Sequence, residues 1–116
     1  MATSDTIPFI YKHIYQGLHD SIDTSVNPNT VFFTEEQFEI VLERVKEHRI
    51  GIYLIEALHL PEGAKRYQLY DITTFESSDT TPLDPEWYYN AFERYKALGI
   101  DLRYRASLYV PGNAWI

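Results

Sequence analysis

The chain has 116 residues, 45% of them hydrophobic and 16% aromatic, with ten Tyr, no Cys, and 17 acidic against 10 basic side chains for a net charge of −7. That length supports one domain around one core, and the apolar fraction can offset chain entropy without disulfides or metals. The missing Cys excludes structural disulfides, thiol catalysis and Cys-ligated zinc or iron–sulfur sites, and the negative excess repels phosphate backbones, so the expected partner is a basic protein surface and not nucleic acid.

Thr6 is placed to cap a first helix, with Pro8 tolerated in its opening turn. Ile7, Ile10, Tyr11, Ile14, Leu18 and Ile22 recur at helical spacing and predict a buried stripe. Lys12, His13, Gln16, His19 and Asp20 occupy the opposite face, and Gly17 weakens the helix interior by about 1 kcal/mol. Asp23 to Thr30 is a loop by composition. Val31-Phe32-Phe33 is either a short strand or a hydrophobic lead-in to the second helix.

Thr34 stands three residues before Gln37, the arrangement of a capping box, and Phe33 with Phe38 fits a hydrophobic staple. Phe38, Val41, Leu42 and Val45 predict the buried stripe of this helix, which should end near His48 or Arg49. Next come two apolar runs, Ile50 to Leu58 and Tyr67 to Phe75, joined through Pro61-Glu62-Gly63-Ala64-Lys65; they predict a β-hairpin. Strict alternation puts Ile50, Ile52, Leu54, Glu56 and Leu58 on one face of its first arm, and Gly51, Tyr53, Ile55, Ala57 and His59 on the other.

After a loop from Glu76 to Leu83, Asp84-Pro85-Glu86 gives a cap, a proline at the first helical position and an acidic first turn. Tyr88, Ala91, Phe92, Tyr95 and Leu98 form the predicted inner face, with Gly99 ending the helix in a left-handed conformation. Ile100, Leu102, Tyr104, Ala106, Leu108 and Val110 alternate with polar or aromatic residues, the period of a strand with one wet face. Pro111-Gly112-Asn113 stops it before an apolar tail, Ala114-Trp115-Ile116.

The whole chain, residues 1–116, therefore reads as a single α+β domain. A small mixed or antiparallel sheet is covered by helices in the order α(β)αββαβ. If Val31-Phe32-Phe33 pairs, the part after the first helix follows the ferredoxin-like split βαβ order. No run reaches the roughly 18 apolar residues of a membrane span, and Met1 to Thr6 lacks the basic start of a secretion signal, so a cytoplasmic, membrane-free location is expected.

Three features are candidates for function. Glu35, Glu39, Glu43 and Glu47 fall four apart and trace one line along the second helix, either a docking surface for a basic partner or an ordinary solvated face offset by Arg44 and Lys46. Glu56 interrupts an apolar face, and with Asp71, Arg103 and Arg105 it could form a carboxylate–guanidinium cluster for a small ligand or acid–base chemistry, or simply a cross-strand ion pair. Trp87, Tyr88 and Tyr89 are consecutive, so a helix must turn at least one away from the core; Trp87, Tyr89 and Trp115 are then candidate binding aromatics, unless they pack against the first helix or the loop before Thr34.

His13, His19, His48 and His59 show no metal-ligand spacing, and no motif calls for a cofactor. The leading expectation is a non-enzymatic interaction protein, of the physical type of small acidic inhibitors and immunity proteins. A ligand-binding or catalytic domain built on the Glu56 cluster is the alternative. A homodimer completing its sheet through Ile50 to Leu58 is a third reading.

Overall fold

A computed structural model describes residues 6–18, 31–76 and 82–110. Its element order is α1 (Thr6–Phe9), a π-helical turn (Ile10–Ile14), α2 (Glu35–Glu47), β1 (Gly51–His59), β2 (Gln68–Thr74), α3 (Pro85–Lys96) and β3 (Arg103–Tyr109). The three strands form one antiparallel sheet in the order β2-β1-β3, so the small α+β fold expected from the pattern is the fold adopted.

The helix ends follow from local chemistry. The Gln37 N–H donates to Thr34 Oγ1 at 3.2 Å, and the Thr34 N–H donates to Gln37 Oε1 at 2.9 Å, closing the capping box. Asp84 Oδ1 accepts from the Glu86 N–H at 3.0 Å, with Pro85 at the first helical position. At the other end of α2, Ile50 N–H donates to the Val45 carbonyl at 3.1 Å and Arg49 N–H to that of Lys46 at 3.2 Å. This is a Schellman closure, and it places Arg49 at φ 56°, where glycine is the usual occupant. Gly99, after α3, has φ 67° as its position requires.

The first helix departs from expectation. It turns into a π-helix at Ile10, where the Tyr15 N–H donates to the Ile10 carbonyl at 3.0 Å, and Gly17 leaves helical space at φ 78°. Ile10, Tyr11, Ile14, Tyr15 and Leu18 still reach the core. Ile22, and with it the rest of the predicted stripe, lies outside the described residues. Val31-Phe32-Phe33 contributes one bridge, Phe33 to Tyr104, bonded both ways at 2.7 and 2.8 Å. The fourth strand of the expected βαββαβ order is thus reduced to a single residue pair. Seen with that pair, both helical crossovers are split: β3 lies between Phe33 and β1, and β1 lies between β2 and β3.

The core lies on the helix side of the sheet, where Phe38, Val41, Leu42 and Val45 of α2 and Tyr88, Ala91, Phe92 and Tyr95 of α3 meet Ile52, Ile55, Ala57, Tyr104, Ala106 and Leu108. Strict alternation along β1 fails at Tyr53. The register passes from Ile52↔Leu108 to Leu54↔Ser107, so one extra residue on β1 returns Ile52 to the face of Ile55 and Ala57. Leu98 and Ile100, predicted to be inward, are exposed, because the chain leaves α3 at Gly99 and rejoins the sheet only at Arg103.

Candidate functional site

Glu56 and Arg105 are cross-strand partners in the β1/β3 register. The guanidinium grips the carboxylate with both prongs, Nε to Oε1 and NH2 to Oε2 at 3.1 Å each, with the Glu56 side chain 18% and that of Arg105 30% exposed. A two-pronged pair is the strongest form of this contact, and it satisfies the carboxylate that interrupts the apolar strand. Leu54, Glu56 and Leu58 share this face with Ile72 and Arg103.

The wider cluster does not assemble. Asp71 pairs in register with Ala57, so it stands on the opposite, helix side of the sheet. There it accepts from the Tyr95 hydroxyl at 3.2 Å, which in turn lies 2.6 Å from Thr73 Oγ1. Arg103 shares the face of Arg105 but bends to Asp101 at 2.7 Å and lies over the Tyr67 ring at 5.4 Å. Of the four residues proposed for ligand chemistry, only Glu56 and Arg105 meet, and they neutralise each other. The pairing register, which sequence cannot supply, decides this.

The acidic line is exposed along its length: Glu35, Glu39, Glu43 and Glu47 all face water. Arg44, a cation expected to offset it, is engaged elsewhere. Its NH1 donates to the carbonyls of Ile14 at 3.0 Å and Gln16 at 2.7 Å, holding the end of the N-terminal segment. Lys96 of α3 lies within electrostatic reach of Glu39 and Glu35 but is bound to Glu93 at 2.7 Å. The half of the line running through Glu43 and Glu47 borders Tyr89, whose hydroxyl is pushed up first by burial and then by the charges of Glu43, Glu39 and Glu47.

The aromatics are mostly packed. The Trp87 indole N–H donates to the Ile52 carbonyl at 3.1 Å, and its ring borders Phe75 and Tyr88. Tyr89 is half-buried against Tyr88. Trp115 lies outside the described residues. Trp87 thus packs on the start of the central strand, where Ile52 is beyond the end of the β1/β2 ladder and its carbonyl needs a donor.

Two features were not anticipated. His13 and His48 come together, their rings 5.4 Å apart with Phe9 against both. His48 Nδ1 donates to the Arg44 carbonyl at 2.9 Å. Among the described residues no group of three or more His, Asp or Glu is placed to hold a metal ion. A groove of about 500 Å³ runs between β2 and α3, lined by Ile72, Thr73, Thr74, Trp87, Asn90 and Arg94 together with Glu76. Neither feature has a local sequence signal, since both depend on elements distant in the chain.

No helix among the described residues is long and apolar enough to cross a membrane. No protein-family model matches the chain, and neither curated proteins nor solved structures provide a match.

Proposed function

We propose that the chain is a non-enzymatic interaction domain whose α2 ridge receives a basic segment of another protein. The observation that carries this reading is the diversion of Arg44: the helix keeps four exposed carboxylates in line while one of the two cations expected to offset them is spent on carbonyls of the N-terminal segment, leaving Lys46 against four carboxylates. Like charges four apart cost about 0.2–0.5 kcal/mol per pair, and Glu43 and Glu47 stand toward the negative end of the helix dipole, which adds to the cost. A basic partner would relieve both. Tyr89 beside them supplies a half-buried ring for apolar or cation–π contact.

An inhibitor or immunity-type role is one in which such a surface would serve. The ligand-binding alternative lacks support from the geometry, because Asp71 stands on the opposite face of the sheet from Glu56 and Arg103 is paired with Asp101.

The test compares the full chain with a Glu43→Gln/Glu47→Gln variant as baits in affinity capture with mass spectrometry. The expected result is a stoichiometric partner rich in Lys and Arg, captured by the parent, released by salt and lost with the variant, while the variant is at least as stable as the parent to urea. Absence of a stoichiometric partner, or one indifferent to the two substitutions, would overturn the proposal.

A further inference from the structure

The expected dimer strand, β1, has both edges filled, by β2 on one side and β3 on the other, and so cannot extend the sheet. β3 is closed on its far side at Tyr104 by the Phe33 bridge. β2 is different. Among the described residues its partner is β1 alone, and every residue from Gln68 to Thr74 except Thr73 is exposed, including Leu69 at 51%, Tyr70 at 43% and Ile72 at 45%.

The direction of its free groups follows from the ladder. The Phe75 N–H donates to the Tyr53 carbonyl at 3.0 Å, so Tyr53 and Phe75 form a hydrogen-bonded pair. Bonded pairs alternate in an antiparallel ladder, which makes Ile55/Thr73 and Ala57/Asp71 the next two. The N–H and C=O of Ile72 and Thr74 therefore point away from β1. Natural sheets guard such an edge with Lys, Pro, bulges or inward charges; Gln68-Leu69-Tyr70-Asp71-Ile72-Thr73-Thr74 has neither Lys nor Pro, its bulge falls at Tyr70, before the Asp71 to Thr73 stretch, and its one inward charge is Asp71.

We infer that β2 is the seam of a homodimer, two copies pairing their β2 strands antiparallel about a twofold axis at Ile72 to make one six-stranded sheet. The charges select this occupant and this register. With the axis at Ile72, Asp71 stands opposite Thr73 of the second copy, on the helix side of the sheet. Thr73 lines the groove that holds Glu76 and also Arg94, an exposed cation with no ion pair among the described residues, Glu76 included. Each Asp71 is thus carried toward the other copy's Arg94, and the symmetry makes the contact twice. An axis at Asp71 would instead set two carboxylates face to face, a costly arrangement.

The inference is independent of the α2 ridge, which lies on a different element. Sedimentation equilibrium of the full chain over rising concentration should show the mass climbing from 13.6 kDa toward twice that value. Ile72→Pro removes an N–H that the chain does not use internally, at a position where an edge strand tolerates proline. That variant should stay monomeric with an unchanged circular dichroism spectrum. Asp71→Arg and Arg94→Asp should each weaken association about tenfold, and the double exchange should restore it. These two variants decide the matter if Ile72→Pro does not fold. A parent that remains monomeric at millimolar concentration, a folded Ile72→Pro that still dimerises, or charge exchanges without effect would overturn the inference. None of these results bears on capture of a basic partner by the ridge.

Discussion

Tyr104 and Tyr95 carry the same hydroxyl into two different settings, and replacing each by Phe should move stability in opposite directions. The Tyr104 ring stacks on Phe38 at 5.3 Å and meets Phe92 edge-on at 5.1 Å, contacts that Phe would keep. Its hydroxyl is buried without a hydrogen-bond partner among the described residues. An unsatisfied buried group of this kind costs about 1–3 kcal/mol. Removing one oxygen leaves a small void, worth a few tenths of a kcal/mol at about 24 cal/mol per Å³. Tyr104→Phe should therefore stabilise the fold by about 1–2 kcal/mol, raising the melting temperature by roughly 4–8 °C for a domain of this size. The Tyr95 hydroxyl, by contrast, accepts from Thr73 and donates to Asp71, so Tyr95→Phe should cost about 1 kcal/mol. Paired urea and thermal unfolding curves would measure both. A Tyr104→Phe variant no more stable than the parent would refute the reasoning.

Alkaline unfolding should set in early. Burial holds the hydroxyls of Tyr15 and Tyr88 above the ordinary tyrosine value and pushes Tyr104 up to about 12. The unfolded chain ionises first, near pH 10, so above that the folded state binds more protons and loses about 1.4 kcal/mol per pH unit per group. Loss of circular dichroism above pH 10 should coincide with a cooperative step in the tyrosinate absorbance; a chain that keeps its circular dichroism unchanged through pH 12 would contradict this. Arg49→Gly relieves a left-handed residue at φ 56° and should add about 1 kcal/mol to the urea stability. Gly51→Ala should cost about 3 kcal/mol or abolish soluble expression, because a Cβ there would collide with the carbonyl of Pro82 and the amide nitrogen of Leu83.

What the sequence could tell depended on how local the determining chemistry was. Thr34 with Gln37, and Asp84 with Pro85, act within one turn, and both helix starts were legible. The alternation of Tyr104, Ala106 and Leu108 survived because the extra residue of the β1/β3 bulge sits on β1 and not on β3. β1 was misread at Ile52, since the extra residue at Tyr53 is forced by pairing with β3 and by nothing in its neighbours along the chain. The first helix was predicted as regular, yet the stripe is read equally well by a π-turn that closes at Tyr15. The acidic line was visible from its spacing, while the fate of Arg44 was not, because its acceptors lie about thirty residues away. Asp71 is grouped with Glu56 because it lies on the facing arm of the hairpin, and only the register separates them.

The indole bond from Trp87 to the Ile52 carbonyl gives the molecule an internal optical gauge. It joins α3 to the entry of the central strand, so the emission of Trp87 should change when that helix seats on the sheet. With Trp115 replaced by Phe, a single fluorophore would time this docking event, separately from the ordering of the hairpin.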